Sequence, residues 1–399
     1  MFRGSRTTPS EFLRGIMQRR QVKIKKQMIL WLLCGCLSFA AMSCGIVAEE
    51  GENTAGIHNT QSTDNINSTD KKQDNGGIPT ASTLQAHFID VGQGDATLIT
   101  CDGHTMLIDA GKNDTGTALQ YYLDKQGITS LDYIIGTHPD EDHIGGMDVI
   151  LTKFDCETVM LPNCEKDTTS YRDVISAIEY KAYQITRPVV GATYTLGSAS
   201  FTVIAPNRSE YEDINNMSIG ILLNHGENSF LFTGDAEAEA EEDILCNGID
   251  IDADVLHVGH HGNERGTTAA FMEAVTPTYA VISCERDNSY GHPHSRTLKT
   301  LQENGVELFR TDIQGCVVAY SDGEKITWSQ EPTESWQSGE ELAKEPFTPN
   351  YILNLKSMKF HSPGCESVAD MMEWNKKEST LSRDEVVALG YAPCGNCKP

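Results

Sequence analysis

The chain has 399 residues, of which 39% are hydrophobic and 22% charged, so it has room for two or three domains with ordinary cores. Its formal net charge is −26 at pH 7, and an acidic body of this kind repels polyanions at long range. The charge therefore disfavours a protein that coats DNA, although it does not exclude an enzyme that binds phosphate at a small local site.

The N-terminal end has the features of an export signal. A basic lead precedes an apolar run from Met28 to Met42, which is about 15 residues long. A membrane-spanning helix needs roughly 20 residues, whereas the core of a signal peptide needs fewer. The small residues that follow lead to Cys44 and resemble a bacterial lipobox, which implies cleavage after residue 43 and lipidation of the Cys44 thiol. Plain secretion and an uncleaved anchor are the alternatives for residues 1–43.

Two polar stretches divide the remaining chain. Residues 44–83 contain few apolar side chains and cannot bury a core, so we predict a disordered tether between a membrane and the first domain. A second polar stretch, residues 329–349, predicts a linker. The folded parts are then residues 84–328 and 350–399, in a bacterial protein that is exported as a cell-surface lipoprotein or secreted.

The central region, residues 84–328, alternates between strand and helix patterns. Apolar runs bounded by glycine-containing turns predict strands, and apolar residues at helical spacing predict helices. In chain order these elements are the strands Leu84–Val91, Ala96–Thr100 and Thr105–Asp109, the helix Thr117–Lys125, the strand Leu131–Gly136, the helix Ser170–Tyr183, and the strands Ser229–Thr233 and Ala253–Val258. Several of these strands end directly before residues that can bind metal ions.

The first such segment contains His138, Asp140, Asp142 and His143, four metal-competent side chains within six residues. Imidazole nitrogens and carboxylate oxygens suit borderline or hard divalent ions such as zinc and manganese. His138 and Asp140, at alternate positions, can face one ion, while Asp142 and His143 reach a second. A solvated acidic turn that happens to contain two histidines is the alternative.

Two further strands end at residues of the same kind. The strand Ser229–Thr233 leads to Asp235, a carboxylate at a strand tip that can bridge two metal ions. The strand Ala253–Val258 leads to His260 and His261. Three such motifs, each after a strand, argue against a solvated turn.

The order His-x-Asp-x-Asp-His, Gly-Asp and His-His-Gly resembles the metallo-β-lactamase superfamily. A narrower set of segments is similar to the ComEC-type branch, which comprises the extracellular domain of the DNA-uptake channel ComEC and stand-alone relatives. These segments are His87–Asp95, Leu107–Gly111, Asn215–Ser218, Phe232–Asp235, His260–Gly262 and Tyr290–His294. The resemblance covers about residues 84–328 and implies an α/β fold, a four-layer αββα sandwich with a two-metal hydrolase site.

The family pattern also implies a role for each site residue. The implied ligands are His138 and Asp140 for one ion, Asp142 and His143 for the other, Asp235 as the bridge, and one of His260 and His261 completing the second site. The other of these two histidines would contact substrate or pack at the strand end. In this chain Asp140 replaces the second histidine of the wider superfamily, and Asn215 and Asn216 stand where its third-motif histidine would be. Both departures make the first site poorer in nitrogen, so manganese is expected as well as zinc.

Other polar residues have supporting or alternative roles. We take Asp142 and His292 as the candidate catalytic residues, because a histidine such as His292 or His294 can bind a phosphate or protonate a leaving group. A purely structural turn histidine is the alternative. Asp90 and Asp95 flank a glycine turn, where we expect them to support the site rather than to bind the ions.

Two further groups of residues are expected to be structural. His225 falls at a predicted hairpin tip, which favours a surface position. Six scattered cysteines are expected to be buried free thiols, with a Cys156–Cys164 disulfide as the alternative. These cysteines are Cys101, Cys156, Cys164, Cys246, Cys284 and Cys316.

The C-terminal module, residues 350–399, contains a second candidate metal site. His361 and Cys365 form a His-x3-Cys pair, and Cys394 and Cys397 form a Cys-x2-Cys pair, which together supply the four ligands of a closed structural zinc site. A module of this size buries little apolar surface and needs a metal ion or a disulfide. A Cys394–Cys397 disulfide is therefore the alternative.

The same module carries a second resemblance. It is similar to the small zinc-binding domain of Ada-type DNA-repair proteins, with His361 in place of the first cysteine ligand. Its helix is expected over residues 382–390, beginning at a capping box. The resemblance favours a nucleic-acid setting.

These observations predict a metal-dependent hydrolase. Two ions roughly 3.5–4 Å apart would share a water, lower its pKa and stabilise both oxygens of a displacement. The ComEC-like motifs and the C-terminal module favour an extracytoplasmic nuclease or phosphodiesterase that acts on DNA and is held at the membrane by its N-terminus. The alternatives are a hydrolase of a small or cell-wall-linked phosphoester, lactone or lactam, and a non-catalytic surface binding protein. The cations expected near phosphate are Arg265, Arg286, Arg296 and Arg310.

Overall fold

The computed structural model describes residues 84–345, 348–372, 375–379 and 381–399. The predicted signal segment, the tether and Cys44 lie outside the described residues, and the expectations about them stay predictions. No helix within the described ranges is long and apolar enough to span a membrane.

The strands of the described chain are numbered in sequence order. They are β1 Leu84–Phe88, β2 Thr97–Cys101, β3 His104–Ile108, β4 Ser130–Ile135, β5 Asp155–Met160, β6 Ile185–Thr186, β7 Thr193–Leu196, β8 Ala199–Ala205, β9 Gly220–His225, β10 Asn228–Phe232, β11 Val255–His257, β12 Tyr279–Ile282, β13 Glu307–Arg310, β14 Val317–Ser321, β15 Ile326–Trp328, β16 Tyr351–Asn354, β17 Lys359–His361, β18 Lys376–Ser379 and β19 Ala392–Pro393.

The helices are numbered in the same way. They are α1 Gly116–Lys125, α2 Glu141–Ile144, α3 Met147–Lys153, α4 Thr169–Tyr180, α5 Ala238–Cys246, α6 Ala269–Val275, α7 Ser295–Glu303, α8 Thr311–Gln314, α9 Gly339–Leu342, α10 Glu366–Ala369 and α11 Arg383–Ala388. Every strand and helix predicted for the central region is present, with ends that differ by at most three residues.

Two sheets form the central domain. Their strand orders are β15-β14-β1-β2-β3-β4-β5-β6 and β13-β12-β11-β10-β9-β8-β7. Each sheet has an antiparallel part and a parallel part, and the parallel pairs include β3 with β4 and the series β10, β11, β12 and β13. Because parallel strands end at the same sheet edge, the loops after β4, β10, β11 and β12 come together.

The buried side chains form three apolar layers. The layer between the two sheets combines aliphatic side chains with aromatic rings such as Phe88, Phe201 and Phe230. The outer face of the first sheet packs against α1, α3 and α4, and the outer face of the second sheet packs against α5, α6 and α7. Helices, sheet, sheet and helices therefore follow one another, which confirms the four-layer α/β sandwich.

Residues 329–345, part of the predicted linker, lie against the central domain. Trp336 packs on the core beneath the second sheet, and the Gln337 carbonyl accepts a hydrogen bond from the buried guanidinium of Arg310. Ser338 then caps α9 in a capping box with Glu341. The domain boundary at this segment stays a prediction, and both apolar packing by Trp336 and the hydrogen bond to Arg310 hold the segment on the central domain.

The C-terminal module is a small sheet of order β18-β16-β17-β19 with two short helices. Its core continues that of the central domain, since Leu353 and Leu389 belong to the same buried cluster as Leu119 of α1. Gly390 marks a close approach, because a Cβ atom there would lie 1.9 Å from the ring of Tyr121. Its φ of +92° also favours glycine. The predicted helix over 382–390 is α11, which is shorter at both ends.

Two structural expectations require correction. His225 is buried rather than at the surface, because its hairpin packs on β14 and its Nδ1 lies 2.7 Å from Oγ of Ser321. The described cysteines are free thiols, so the alternative Cys156–Cys164 disulfide is not formed. The expectation that these thiols are buried is confirmed for several of them but is wrong for Cys246, which is exposed near the end of α5.

Candidate metal centre

The candidate metal centre lies where loops from both sheets meet. Asp235 follows β10, His260 and His261 follow β11, and the loop after β4 carries His138 to His143. The parallel pairing of β10 with β11, and of β3 with β4, places the ends of these strands at one edge of the sandwich. The structure therefore brings together the three motifs that the sequence predicts to act as one site.

The carboxylate of Asp235 lies at the middle of the centre and faces four imidazoles. Its Oδ1 lies 3.1 Å from Nε2 of His143. Its Oδ2 lies 3.5, 3.7 and 3.9 Å from the Nε2 atoms of His260, His261 and His138. One carboxylate that presents both oxygens to several ligand nitrogens is suited to bridge two metal ions.

The atoms that face one another at this centre fit metal ions. Within the described part of the chain, the buried Nε2 atoms of His138, His143 and His261 and Oδ1 of Asp235 form no well-aligned hydrogen bond, although Oδ1 of Asp235 lies close to Nε2 of His143. Buried polar atoms rarely stay unpaired, because their desolvation is then uncompensated. Divalent ions satisfy such atoms, so this donor set fits the ions that the sequence predicts.

A second buried carboxylate, that of Asp109, fixes the ring of His143. Its Oδ2 accepts a hydrogen bond from Nδ1 of His143 at 2.7 Å, and the backbone N–H and the hydroxyl of Thr137 donate to its two oxygens. A carboxylate behind a ligand histidine orients the ring and leaves Nε2 for the metal. Asp109 had no predicted role at the site, and its place directly after β3 was the signal for one.

His260 and His261 both direct Nε2 toward the central carboxylate, so both belong to the centre. Nε2 of His261 also lies 3.3 Å from Oδ2 of Asp142, while its Nδ1 donates to the carbonyl of Ser283 at 2.9 Å. Nδ1 of His260 lies 3.0 Å from Oε1 of Glu237. Both histidines have left-handed backbones, with φ of 51° and 55°. Such conformations cost on the order of 1–3 kcal/mol each outside glycine and cluster at functional sites.

The segment that lacks the third-motif histidine supports the centre in another way. Oγ of Ser218 lies 3.3 Å from Nδ1 of His138 and accepts the backbone N–H of Asp235 at 3.0 Å. The Asn216 side-chain oxygen accepts the N–H of Glu237 at 2.9 Å. This segment therefore holds the ligand loops in place instead of supplying a ligand.

Asp140 is placed differently from the other predicted ligands. Its Oδ1 forms an ion pair with Nζ of Lys166 at 2.5 Å. Another group of residues, Asp95, His143, Asp235 and His261, places one ligand atom each within 4.8 Å of one another. Metal binding by Asp140 stays a prediction, and it would use the second oxygen or displace Lys166.

Asp95 lies closer to the centre than a turn residue needs to. Its buried carboxylate is 3.3 Å from Nδ1 of His261 and 3.9 Å from Nδ1 of His257. Because Nδ1 is the ring atom opposite the one that faces Asp235, the Asp95 carboxylate lies behind the His261 ring. Asp90 accepts the N–H of Gly92 at 3.0 Å, as a turn residue does.

Packing and neighbouring charges set the ionisation states of the centre. Burial, together with the neighbouring His143, lowers the pKa of His138 to about 3, so this ring is neutral. Burial alone would raise the pKa of Asp235, but His143, His261 and His260 outweigh it and hold that pKa well below the usual range. Burial would lower the pKa of His143 and of His261, but the Asp235 carboxylate outweighs it and holds both pKa values well above the usual range, so each of these rings must lose a proton to bind a metal ion.

His292, the predicted catalytic histidine, is buried beside the centre. Its ring centroid lies 5.7 Å from that of His260 and 6.0 Å from that of His261. Its Nδ1 is 3.3 Å from the side-chain nitrogen of Gln93, and its Nε2 is 3.2 Å from the side-chain nitrogen of Asn263. Burial and the nearby histidines lower the pKa of His292 to about 3, so it is neutral at physiological pH.

The loop around His292 also carries an exposed aromatic ring. Tyr290 is 61% exposed, and its ring stacks on His292 with centroids 5.5 Å apart and planes at 19°. His294 holds the loop, because its Nδ1 accepts the N–H of Glu264 and its Nε2 lies 3.1 Å from the carbonyl oxygen of Tyr290. His294 is therefore a turn residue, and Tyr290 forms part of the rim of the centre.

The arginines expected near phosphate have different surroundings. Arg310 is fully buried and pairs with Asp312 at 2.6 Å, so it cannot contact a substrate, contrary to expectation. Arg265 pairs with Glu237 at 2.7 Å and is about half exposed. Two others remain near the surface or a cavity, namely Arg296, which is exposed in α7, and Arg286, which lines a cavity of about 430 Å³.

The second predicted metal site is also assembled. His361, Cys365, Cys394 and Cys397 place their ligand atoms within 4.8 Å of one another. Neither ring nitrogen of His361 has a hydrogen-bond partner within the described residues. Backbone N–H groups lie 3.4 Å from the sulfurs of Cys394 and Cys397, and these thiols are free, so the alternative disulfide is not formed. Three sulfurs and one imidazole fit a structural zinc ion.

Comparison with known proteins gives a consistent result. Residues 89–286 match the model of the metallo-beta-lactamase superfamily. The chain is 28% identical over 261 residues to ComE operon protein 3 of Bacillus subtilis, covering 59% of this chain and 33% of that protein. It is 31% identical over 240 residues to Recombination protein 2 of Haemophilus influenzae, covering 59% and 28%. It is 27% identical over 230 residues to Competence protein ComA of Neisseria gonorrhoeae, covering 57% and 31%.

The match spans about a third of the length of these relatives, so their full activities do not transfer with it. Within that third, the two-sheet sandwich agrees with the fold of the matched family. This chain carries a metallo-β-lactamase superfamily domain whose sequence is similar to that of the ComEC-like competence proteins.

Proposed function

We propose that this protein is an extracytoplasmic, metal-dependent phosphodiesterase that cleaves DNA. The observation that carries the proposal is the set of unpaired imidazole nitrogens around the Asp235 carboxylate, with an exposed aromatic ring at the rim. The match to relatives named for competence and recombination supports a nucleic-acid substrate.

Each ligand has a place in a two-ion site. We assign Asp142, His143 and His261 to one ion, and His138 with His260 to the other, with Asp235 between them and Asp140 as a further ligand of the second. His260 would then supply the nitrogen that the absent third-motif histidine supplies elsewhere in the superfamily. Bound divalent ions would supply a hydroxide nucleophile at neutral pH and neutralise charge on the phosphate.

The remaining residues orient the proposed ligands or contact the substrate. Asp109 and Asp95 fix the rings of His143 and His261 from behind. His292 is neutral, and the nitrogens of the Gln93 and Asn263 side chains face both of its ring nitrogens. A neutral imidazole can accept only one of these contacts. The other ring nitrogen carries an N–H, which we assign as a hydrogen-bond donor to a phosphate oxygen.

A DNA substrate is further supported by Tyr290. Nucleobases stack on exposed aromatic rings, and each such stack contributes about 1–3 kcal/mol by alanine substitution. Tyr290 is held against His292, next to the ligand histidines, where a base adjoining the cleaved phosphate would lie. The acidic body limits binding to such local contacts, which favours short single-stranded ends over long duplexes.

The decisive experiment incubates the full-length protein, loaded with manganese or zinc, with linear DNA. His138→Ala is the inactive control. We expect metal-dependent cleavage that is lost in His138→Ala. Tyr290→Ala should raise the KM for DNA about tenfold or more. Intact DNA with both metals, for wild type as for His138→Ala, would contradict the proposal.

A second candidate function follows from the charge. The net charge of −26 favours a small or cell-wall-linked phosphoester over a polymer. A chromogenic phosphodiester run beside the DNA separates the two. Turnover of the chromogenic compound without cleavage of DNA, unchanged in Tyr290→Ala, would favour the small substrate.

We also propose that the N-terminus exports the protein and anchors it through a lipid on Cys44, and that the C-terminal cluster holds a structural zinc ion. Cys44→Ser should release the protein from the membrane fraction, whereas Cys246→Ser should not. A Cys44→Ser protein that stays with the membrane would instead favour the uncleaved anchor.

A further inference from the structure

The C-terminal module lies next to the loop that supports the metal centre. This loop, Asp90–Asp95, follows β1, and we call it the support loop. A cavity of about 430 Å³ separates much of it from the module, since residues of both line that cavity. Contacts that cross this gap therefore link the module to the support loop.

One side chain of the module reaches across. Nζ of Lys377, in β18, lies 3.8 Å from Oδ1 of Asp90. A Cβ atom added to Gly92 would be 3.1 Å from Nζ of Lys377 and 3.3 Å from Oε1 of Glu285. The ammonium group thus rests on the support loop between two carboxylates. The Lys377 side chain is 23% exposed and that of Asp90 is 16% exposed, so solvent screens this contact only in part.

From the support loop, contacts continue to the substrate side of the centre. The Gln93 side-chain oxygen accepts the N–H of Glu285 at 3.3 Å, and its nitrogen lies 3.3 Å from Nδ1 of His292. Gln93 therefore sits between Glu285, which Lys377 approaches, and the histidine beside the ligands. A displaced Gln93 would leave the His292 ring without one of its two contacts.

The end of the support loop contacts the metal ligands. The Asp95 carboxylate lies 3.3 Å from Nδ1 of His261, and its backbone N–H donates to the carbonyl of Asp142 at 3.0 Å. Gly94 permits this approach, because a Cβ atom there would lie 2.3 Å from the Asp142 carbonyl oxygen. Movement of the support loop would therefore shift a ligand-bearing segment directly.

We propose that Lys377 is a positioning residue of the metal centre: it holds the support loop and so makes the C-terminal module a part of the hydrolase site. The module is anchored against α1 by apolar packing at Leu353 and Leu389, and Lys377 transmits that anchorage to His261 and Asp142. The proposal rests on the proposed metal site but not on DNA as the substrate.

The test compares Lys377→Met with Lys356→Met in the full-length protein. Lys356 is exposed in the same module, so its variant makes the same change in charge away from the support loop. The first readout is the affinity of the central site for Mn²⁺, by calorimetric titration. The second is hydrogen exchange of the support-loop amides. Far-UV circular dichroism and a thermal melt check that each variant is folded.

We expect Lys377→Met to weaken Mn²⁺ binding on the order of tenfold, the low end of what outer partners of metal ligands contribute. The support-loop amides should exchange faster, and Lys356→Met should match wild type in both measurements. If Lys377→Met is poorly folded, Lys377→Gln, which keeps a polar end group, takes its place. Equal Mn²⁺ affinity and equal exchange in the folded Lys377 and Lys356 variants would overturn the proposal.

The outcome is separable from that of the proposed function. A weakened Mn²⁺ site in Lys377→Met, in a protein that cleaves no DNA, would support the positioning role while contradicting the nuclease. If wild type and Lys377→Met both cleave DNA and bind Mn²⁺ with equal affinity, the nuclease would be supported and the positioning role contradicted.

Discussion

The two metal-competent clusters of this chain are built in opposite ways. In the central cluster, the Asp235 carboxylate faces four imidazoles, and buried carboxylates such as Asp109 hold those rings from behind. In the C-terminal cluster, three thiols and the His361 imidazole face one another, and backbone N–H groups approach the sulfurs of Cys394 and Cys397. Buried side chains support the first cluster, whereas main-chain groups support the second.

The difference shows what each cluster does for the fold. The central ligands extend from the ends of strands in two large sheets, so their positions are set without a metal ion. The ligands of the module lie on a small sheet and its loops, which bury little apolar surface of their own. We infer that the central site is a rigid frame for chemistry, whereas the C-terminal cluster maintains the structure around it.

The largest expected effect is therefore loss of metal from the C-terminal cluster. Structural zinc contributes on the order of 10 kcal/mol to the folding of small domains. Cys397→Ser should make residues 350–399 sensitive to limited proteolysis while the central domain stays resistant. Cys246→Ser, at an exposed thiol, is the matched control.

The same cluster offers a chemical readout. The backbone N–H groups of Cys397 and Asn396 lower the pKa of the Cys394 thiol to about 7, so among the three thiols of this cluster it should be alkylated first in metal-free protein near pH 7.5. Added zinc should block the reaction. Equal alkylation with and without zinc, or a protease-resistant Cys397→Ser module, would contradict a structural metal.

The next effect is expected at the middle of the central cluster. Asp235→Asn removes a charge that faces four imidazoles, so we expect kcat/KM on a chromogenic phosphodiester to fall more than about 100-fold. This loss exceeds the effect of replacing a residue that only hydrogen-bonds to a metal ligand. Asp155→Asn makes the same change on a side chain that is 90% exposed and should have no effect. A rate within tenfold of wild type would argue against a bridging carboxylate.

A smaller effect is expected behind the ligands. Asp109→Asn should weaken Mn²⁺ binding about 10- to 100-fold, because it loosens the ring of His143 and changes its preferred tautomer. Asp132→Asn is a close control, since Asp132 accepts a hydrogen bond from His104 at the same 2.7 Å but at the surface. Calorimetric titration of both variants with Mn²⁺ shows whether the loss of affinity requires an Asp–His pair at the metal centre or follows from the loss of any such pair.

The smallest effect concerns a buried histidine outside both clusters. Burial lowers the pKa of His87 to about 4, so it stays neutral in the fold while the unfolded chain takes up a proton below about 6.5. The stability that His87 contributes is thus present above pH 6.5 and is lost as the pH falls toward 4, by about 1.4 kcal/mol per pH unit.

Urea unfolding at pH 7 and pH 5.5 measures this loss. His87→Gln should lose about 1 kcal/mol less than wild type between the two values. Equal losses of stability in wild type and His87→Gln would mean that the acid sensitivity arises from the two metal-competent clusters alone.

The sequence indicated where the candidate ligands lie better than it indicated the residues that support them. His138, Asp235 and His261 follow strands in a recognisable order, and that local order is enough to place them at one sheet edge. Asp109 and Glu237 were missed as partners of His143 and His260: the place of Asp109 after β3 indicates a role at the site, but a hydrogen bond between separate loops leaves no local pattern that identifies the partner. The ion pair of Asp140 with Lys166 was hidden for the same reason.

Burial was harder to predict than position in the fold. His225 lies at a hairpin end as expected, but β14 covers it, and Arg310 is enclosed by a segment whose composition suggested a linker. In both cases the covering chain comes from a distant part of the sequence. Lys377 likewise looks like an ordinary lysine of a short strand until the support loop is seen beneath it.

The left-handed turn at His260 and His261 has a consequence for evolution and design. Glycine would adopt this backbone without strain, so a search for stability alone would place glycine at both positions. The chain keeps two histidines instead, and each lowers the stability of the apoprotein on the order of 1 kcal/mol. His260→Gly is therefore a substitution that should raise the melting temperature of the metal-free protein while removing a ligand, so that thermostability screens would select against function at this turn.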